Sequence, residues 1–196
     1  MTTNFSRPRL ARGKKEVKMT MNALRNRLVL VVSLSVVVLV GAVAYAATST
    51  ILGVGTNLHS QIVNGPATMT ARRLTIPAGE VGVWHYHPGL ITAVVAHGTV
   101  TVEDGCGGSE TFTAGQAFEK NDGRVHRAIN PGTEEEEEYN MFIVPQGNPI
   151  TVNIPNNQRL CGPALVGDEC KDNGWKKFNY PHAFNSEGEC VSSVRN

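Results

Sequence analysis

Several features are scarce or missing in this sequence, and each absence removes a class of function. Beyond residue 46 positive charge is scarce: 10 Lys and Arg stand against 16 Asp and Glu, a net charge of −6. Binding to nucleic acid needs a basic face to meet phosphate, so a polynucleotide is excluded as the main partner. There is no glycine-rich phosphate loop, no Walker-type sequence and no nucleophile elbow, which argues against nucleotide hydrolysis and serine-nucleophile chemistry. After residue 58 no window keeps a helical period long enough to define a helix. The whole-chain balance hides the acidic body. All 196 residues together carry 18 basic and 17 acidic groups, a formal net charge of +1. The first 46 hold 8 of the basic ones (Arg7, Arg9, Arg12, Lys14, Lys15, Lys18, Arg25 and Arg27) and one acid, Glu16, for a net charge of +7.

That basic leader ends in an apolar run. Leu28 to Val40 reads LVLVVSLSVVVLV, thirteen residues without a charge, preceded by Arg25 and Arg27. Ala44 and Ala46 supply the small-x-small pair of a signal peptidase site, so residues 1–46 are expected to be a signal peptide and Ala47 the first mature residue. Translation from Met19 or Met21 would give a basic region of ordinary length. The alternative is an uncleaved anchor, because Leu28 to Ala47 is twenty largely apolar residues, enough to span a bilayer. Both readings place the body outside the cytoplasm, secreted or anchored at the membrane.

The remaining 150 residues suit one domain with a sizeable core. Residues 47–57 are expected to be a linker. From Leu58 onward short β-rich runs are cut by turn sequences: Pro77-Ala78-Gly79, Glu103-Asp104-Gly105, Asn121-Asp122-Gly123 and Asn130-Pro131-Gly132. Strands are expected near 58–64, 67–76, 81–87, 90–97, 99–103, 109–113, 116–118, 124–129, 136–144 and 149–154. Many short strands at regular spacing mark an all-β sandwich or small barrel. The acid run Glu134 to Glu138 reads as a solvated turn, since consecutive strand residues point to opposite faces and would not converge on one ion.

Six histidines are present: His59, His85, His87, His97, His126 and His182. His85 and His87 stand two apart in VGVWHYHPG, which on a strand places both imidazoles on one face and Trp84 and Tyr86 on the other. His126 lies in a second strand-like run, GRVHRAIN. These runs resemble the two motifs of the cupin superfamily. Gly79 through His85 and His87 to Gly98 resembles G-x5-H-x-H-x3-E-x6-G, and Gly115 through His126 to Asn130 is similar to G-x5-P-x-G-x2-H-x3-N. Their order and separation agree over residues 79–130. The resemblance implies a cupin-type double-stranded β-helix, a jelly-roll barrel over 58–155, with His85, His87 and His126 as metal ligands.

Two positions depart from the pattern. Asn121 replaces the proline of the second motif, a mild change because Asn-Asp-Gly also turns. Ile91, followed by Thr92, occupies the acidic position of the first motif, so the family's fourth protein ligand is absent. A divalent ion held by three neutral imidazoles keeps its full charge and favours an anionic ligand or hydroxide in its open positions. Iron, manganese, zinc, nickel or copper would suit such a site, and residue types do not choose among them. His97 shares strand parity with Ile91 and reads as a surface or rim residue, while His59 and His182 have no partner at ligand spacing. Tyr86, Trp84 and Arg124 are candidates to line or support the cavity, or ordinary packing and surface.

The four cysteines, Cys106, Cys161, Cys170 and Cys190, allow three pairings, and arithmetic alone leaves these open. In an exported chain two disulfides are more economical than a reactive thiol. The segment from Cys170 to Cys190 resembles a C-terminal module of exported actinobacterial proteins, CKNGGWKNF…F-x-N-x-G-x-CVS, in which the two cysteines would pair. Exported cupins with cysteines in the corresponding hairpin and extension then imply Cys106 with Cys161. Residues 156–196 are thus expected to form an irregular, disulfide-stapled extension, the bridge stabilising a loop of that size by about 3 kcal/mol. Two functions are expected to compete: a metal-dependent, oxygenase-type enzyme acting on a small molecule, and a metal-free, non-catalytic small-molecule-binding protein. The resemblance also implies pairing as a homodimer.

Overall fold

A computed structural model describes residues 46–120 and 123–194. The expected export segment, apart from its last residue, and the Asn121-Asp122 part of the turn lie outside the described residues. Ten strands follow in chain order: β1 (Thr48–Ser60), β2 (Gly65–Ile76), β3 (His85–Tyr86), β4 (Leu90–His97), β5 (Thr99–Asp104), β6 (Ser109–Thr113), β7 (Ala117–Lys120), β8 (His126–Ile129), β9 (Glu136–Pro145) and β10 (Val152–Asn153). They form two five-stranded sheets, ordered β1-β2-β9-β4-β7 and β10-β3-β8-β5-β6. Each ladder between named strands is antiparallel. This is a double-stranded β-helix.

Alternation explains the two long central strands. On β9 the even residues Glu136, Glu138, Asn140, Phe142 and Val144 are buried, and the odd ones between them lie nearer solvent. Ten ladder positions against β2 and a second ladder against β4 lock that parity, because a slip of one residue would turn Phe142 and Val144 outward. Facing side chains form two apolar groups inside the barrel, Ile76 with Val95 and Val100, and Ile91 with Phe142 and Val144. Each such side chain, fully buried, contributes about 1.5–3 kcal/mol. Gly98, the last residue of the first motif, adopts φ 74°, and a Cβ there would meet the Glu135 carbonyl oxygen at 2.9 Å.

Three expectations are corrected. Residues 48–57 are not a linker but the first ten residues of β1, and the chain turns at 61–64 rather than continuing as strand. The cause is that β1 is an edge strand, exposed along most of its length and interrupted by register shifts at Ile51/Gly53 and Gly55/Leu58, which erase a period of two. The acid run is not wholly solvated: Glu134 and Glu135 are exposed, but Glu136 and Glu138 are buried on the inner face of β9. The tail is not wholly irregular, since Glu187–Ser193 forms a short helix, α1, whose N-terminus Ser186 caps by accepting from the Glu189 amide.

The extension has a core of its own, Cys161, Ala164, Cys170, Phe178, Phe184 and Cys190. Its bridges are Cys106–Cys161 and Cys170–Cys190, the pairing that the resemblance implied. The first staples the extension to the β5–β6 hairpin. There Gly105 is required, because a Cβ would collide with the carbonyl oxygen of Leu160.

Candidate metal centre

The second sheet brings the three motif histidines together. His85 on β3 stands opposite His126 on β8, and β10 pairs with β3 at Asn153 and Val152. His87 follows β3 by one residue. Ring centres lie 5.0 Å apart for His85 and His87, 4.6 Å for His85 and His126, and 5.0 Å for His87 and His126. One ring nitrogen from each histidine lies within 4.8 Å of the others.

Each imidazole is oriented from behind by a backbone carbonyl. His85 Nδ1 lies 2.8 Å from the Val83 oxygen, His87 Nδ1 2.7 Å from the Ile150 oxygen, and His126 Nδ1 2.8 Å from the Arg124 oxygen. A carbonyl can only accept, so each Nδ1 carries the proton and donates, and in the neutral ring Nε2 is the unprotonated nitrogen. This is the arrangement that fixes tautomer and aim for metal-binding histidines. Burial, then the neighbouring imidazole of His126, lowers His85 to a pKa of about 4. Burial, then His85 and His126, lowers His87 to about 2. Neutral rings are therefore available to a cation well below the ordinary pKa of 6.5. The residues fit a divalent transition metal, with three imidazoles and no protein carboxylate.

Ile91 shows why no acid completes the set. It is buried beside Phe142 and Val144, its ladder partner on β9 being Phe142. The family's acidic position is thus part of an apolar wall. His97 is exposed, its Nδ1 on the Glu135 carbonyl and its Nε2 3.7 Å from Glu134, away from the other three. His59 is exposed on β1, and His182 rests its ring on Phe184.

Trp84 points away from the histidines into a cluster with Val125 and Ile154, and Arg127 lies over its indole at 4.6 Å. Tyr86 is half-buried against Tyr180, with ring centres 5.6 Å apart. Arg124 ties barrel to extension: its guanidinium donates to both carboxylate oxygens of Glu169, at 2.9 and 2.7 Å, and to the Pro163 carbonyl. The same residue's carbonyl holds His126. Arg124 and His126 both line a cavity of about 240 Å³, with Asp104, Glu110 and Lys120 at its wall.

Sequence reasoning passed over a polar row on the first sheet. Arg72 on β2 pairs in register with Asn140 on β9 and donates to its Oδ1 through Nε at 2.8 Å and through Nη2. Asn140 in turn donates from Nδ2 to Glu138 Oε1 at 3.0 Å. The guanidinium carbon sits 4.8 Å from the centre of the Phe142 ring, whose edge meets His87 with centres 5.2 Å apart. A signal was present: Arg72 shares parity with Thr70 and Ile76, both buried, so a charge stands where a core residue is expected.

Residues 72–149 match the family model described as Cupin domain. No curated protein matches the chain. Among solved structures, a conserved protein with a double-stranded β-helix domain from Klebsiella pneumoniae is 17% identical, with 59% of this chain and 90% of that one covered and a TM-score of 0.44. A cupin domain from Bordetella pertussis is 20% identical, with 53% of this chain and 98% of that one covered and a TM-score of 0.39.

Proposed function

We propose that this chain, a member of the cupin superfamily by its match over residues 72–149, is an exported protein whose His85, His87 and His126 hold one divalent transition metal. The observation that carries the reading is the common orientation of the three rings, each with Nδ1 on a backbone carbonyl, and the convergence of one ring nitrogen from each within 4.8 Å of the others. Export is supported by two disulfides with no free cysteine among the described residues, a state that an oxidising compartment maintains. The basic, apolar leader then serves as a signal peptide or anchor. No helix among the described residues is long and apolar enough to cross a membrane. A bound metal would supply Lewis-acid or dioxygen-activating chemistry at its open positions. The chain's own part is to aim the imidazoles, keep them unprotonated and admit a small molecule. Oxygenase-type catalysis is the activity to screen first.

The test is the metal content of the exported protein after dialysis against iron, manganese, nickel, copper and zinc in turn. One of these is expected to be retained at one ion per chain, and His126→Ala is expected to lose it by at least about a hundredfold in affinity. A wild-type chain that stays metal-free in all five would sink the metal centre. It would leave the second reading, a metal-free binding barrel, which the apolar wall around Ile91 favours. A dioxygen-uptake screen on the loaded protein separates enzyme from binder. Pairing as a homodimer is part of the same reading, with the single-partnered edge of β1 open to it, and sedimentation of the purified protein checks it.

A further inference from the structure

Arg72 is an unusual cation. It is largely withdrawn from solvent on the inner parity of β2, and among the described residues no carboxylate lies within ion-pair distance of it. Buried cations ordinarily sit against an anion, because removal from water penalises the charged form strongly. Its hydrogen-bonded partner is instead the neutral amide of Asn140, engaged through Nε and Nη2 only. Nη1 makes no hydrogen bond among the described residues. Glu138 lies beyond that amide: burial raises its pKa, while the Asn140 hydrogen bond and the charge of Arg72 pull it back only in part, so Arg72 has an acid at a distance but no carboxylate in contact.

The guanidinium is held in place. One edge is engaged by Asn140 and the guanidinium lies over Phe142, a ring that also makes an edge-type contact with His87. The preorganised guanidinium and His87 of the histidine cluster thus share contact with one phenyl ring. The Ile91 substitution adds to the imbalance, since the three imidazoles bring no negative charge. A metal there and Arg72 beside it both call for an anion.

We propose that Arg72 is the recognition residue for a small organic carboxylate, which enters the barrel with its carboxylate on the Arg72 fork and a second oxygen donor directed to the histidine cluster. Planar, bidentate pairing with carboxylate is what the guanidinium geometry favours over a point-charge cation. Asn140 is a positioning residue: it takes the Nε hydrogen and one of the two on Nη2, so that the edge formed by Nη1 and the second Nη2 hydrogen is presented to the ligand. The assignment rests on the metal reading only for the second donor; the carboxylate contact is Arg72's own.

The experiment titrates malonate, and malonamide as its neutral counterpart, into the full chain by calorimetry, both metal-free and loaded with Co(II), with cobalt retention measured separately by atomic absorption. Malonate is expected to bind at least about tenfold more tightly than malonamide, and Arg72→Met to lose about tenfold in malonate affinity while retaining cobalt, as expected for a charge-assisted pair. Arg72→Lys, which keeps the charge without the fork, should fall between and guards against a misfolded methionine variant. Equal malonate affinity in wild type and both variants, absence of discrimination against malonamide, or no malonate binding in either form overturns the assignment. Loss of cobalt with the discrimination intact overturns the metal centre instead and leaves Arg72 in its role.

Discussion

The barrel interior holds two groups of buried titratable side chains, and they are satisfied in opposite ways. At the histidine cluster each ring has a carbonyl behind it, so burial is compensated, and one ring nitrogen from each lies within 4.8 Å of the others. On β9, Glu136 is fully buried beside the apolar ladder partner Ile76, and neither carboxylate oxygen has a hydrogen-bond partner among the described residues. Burial, then the charge of Glu138, raises Glu136 to a pKa of about 8. The two groups thus respond to pH with opposite signs. Glu136, with its folded pKa above the ordinary 4.5, contributes stability that is complete below that value and lost as pH rises through about 8. His85 and His87, with folded values of about 4 and about 2, contribute stability that is complete above 6.5 and lost as pH falls. A polar group inside a barrel is useful where the backbone orients it and a burden where it does not.

The strongest way to break this contrast is to put an unpartnered acid beside the histidines. Ile91→Glu buries a carboxyl in the apolar wall and should cost about 3 kcal/mol in the metal-free protein. It should also bind metal at least about tenfold more tightly and regain stability when loaded, measured by melting with and without zinc. An unchanged zinc affinity would mean that position 91 does not face the ion. The reverse change comes next in size. Glu136→Gln removes the titration but keeps the shape, so its melting temperature relative to wild type should climb by about 3–6 °C between about pH 5 and about pH 8. A difference that stays constant with pH would place the burden elsewhere. The smallest effect is expected from the support behind one ligand. Glu169→Gln weakens the grip on Arg124, whose carbonyl aims His126, and should lower metal affinity by about threefold with little change in melting temperature. Equal affinity in that variant would show that the extension does not act on the site.

The histidine cluster was legible because both of its motifs are local. His85 and His87 are aligned by strand parity alone, and the turn before His126 marks a second strand. Arg72 was not legible as a partner, because its neighbours come from β9, and Asn140 is 68 residues away in sequence. Its charge at a core parity was visible, but the amide and the phenyl ring that hold it were not. The acid run failed for a related reason. Glu136 and Glu138 look like solvent residues by type, and only the ladders to β2 and β4, which set the parity of Phe142 and Val144, force them inward.

By itself the sequence determined the all-β body, the order of its strands from β2 to β9, the identity of the three histidines and the loss of the acid at Ile91. The strands follow from periodicity and spacing, which act over a few residues, and the histidines and the missing acid from the resemblance of two local motifs to those of the cupin superfamily. Only the tertiary structure decided which carbonyl holds each imidazole, that Arg72 stands one ring from His87, that Glu136 and Glu138 are buried, and that the extension reaches His126 through Arg124. Each of those depends on pairing between distant strands, where register rather than residue type chooses the neighbour.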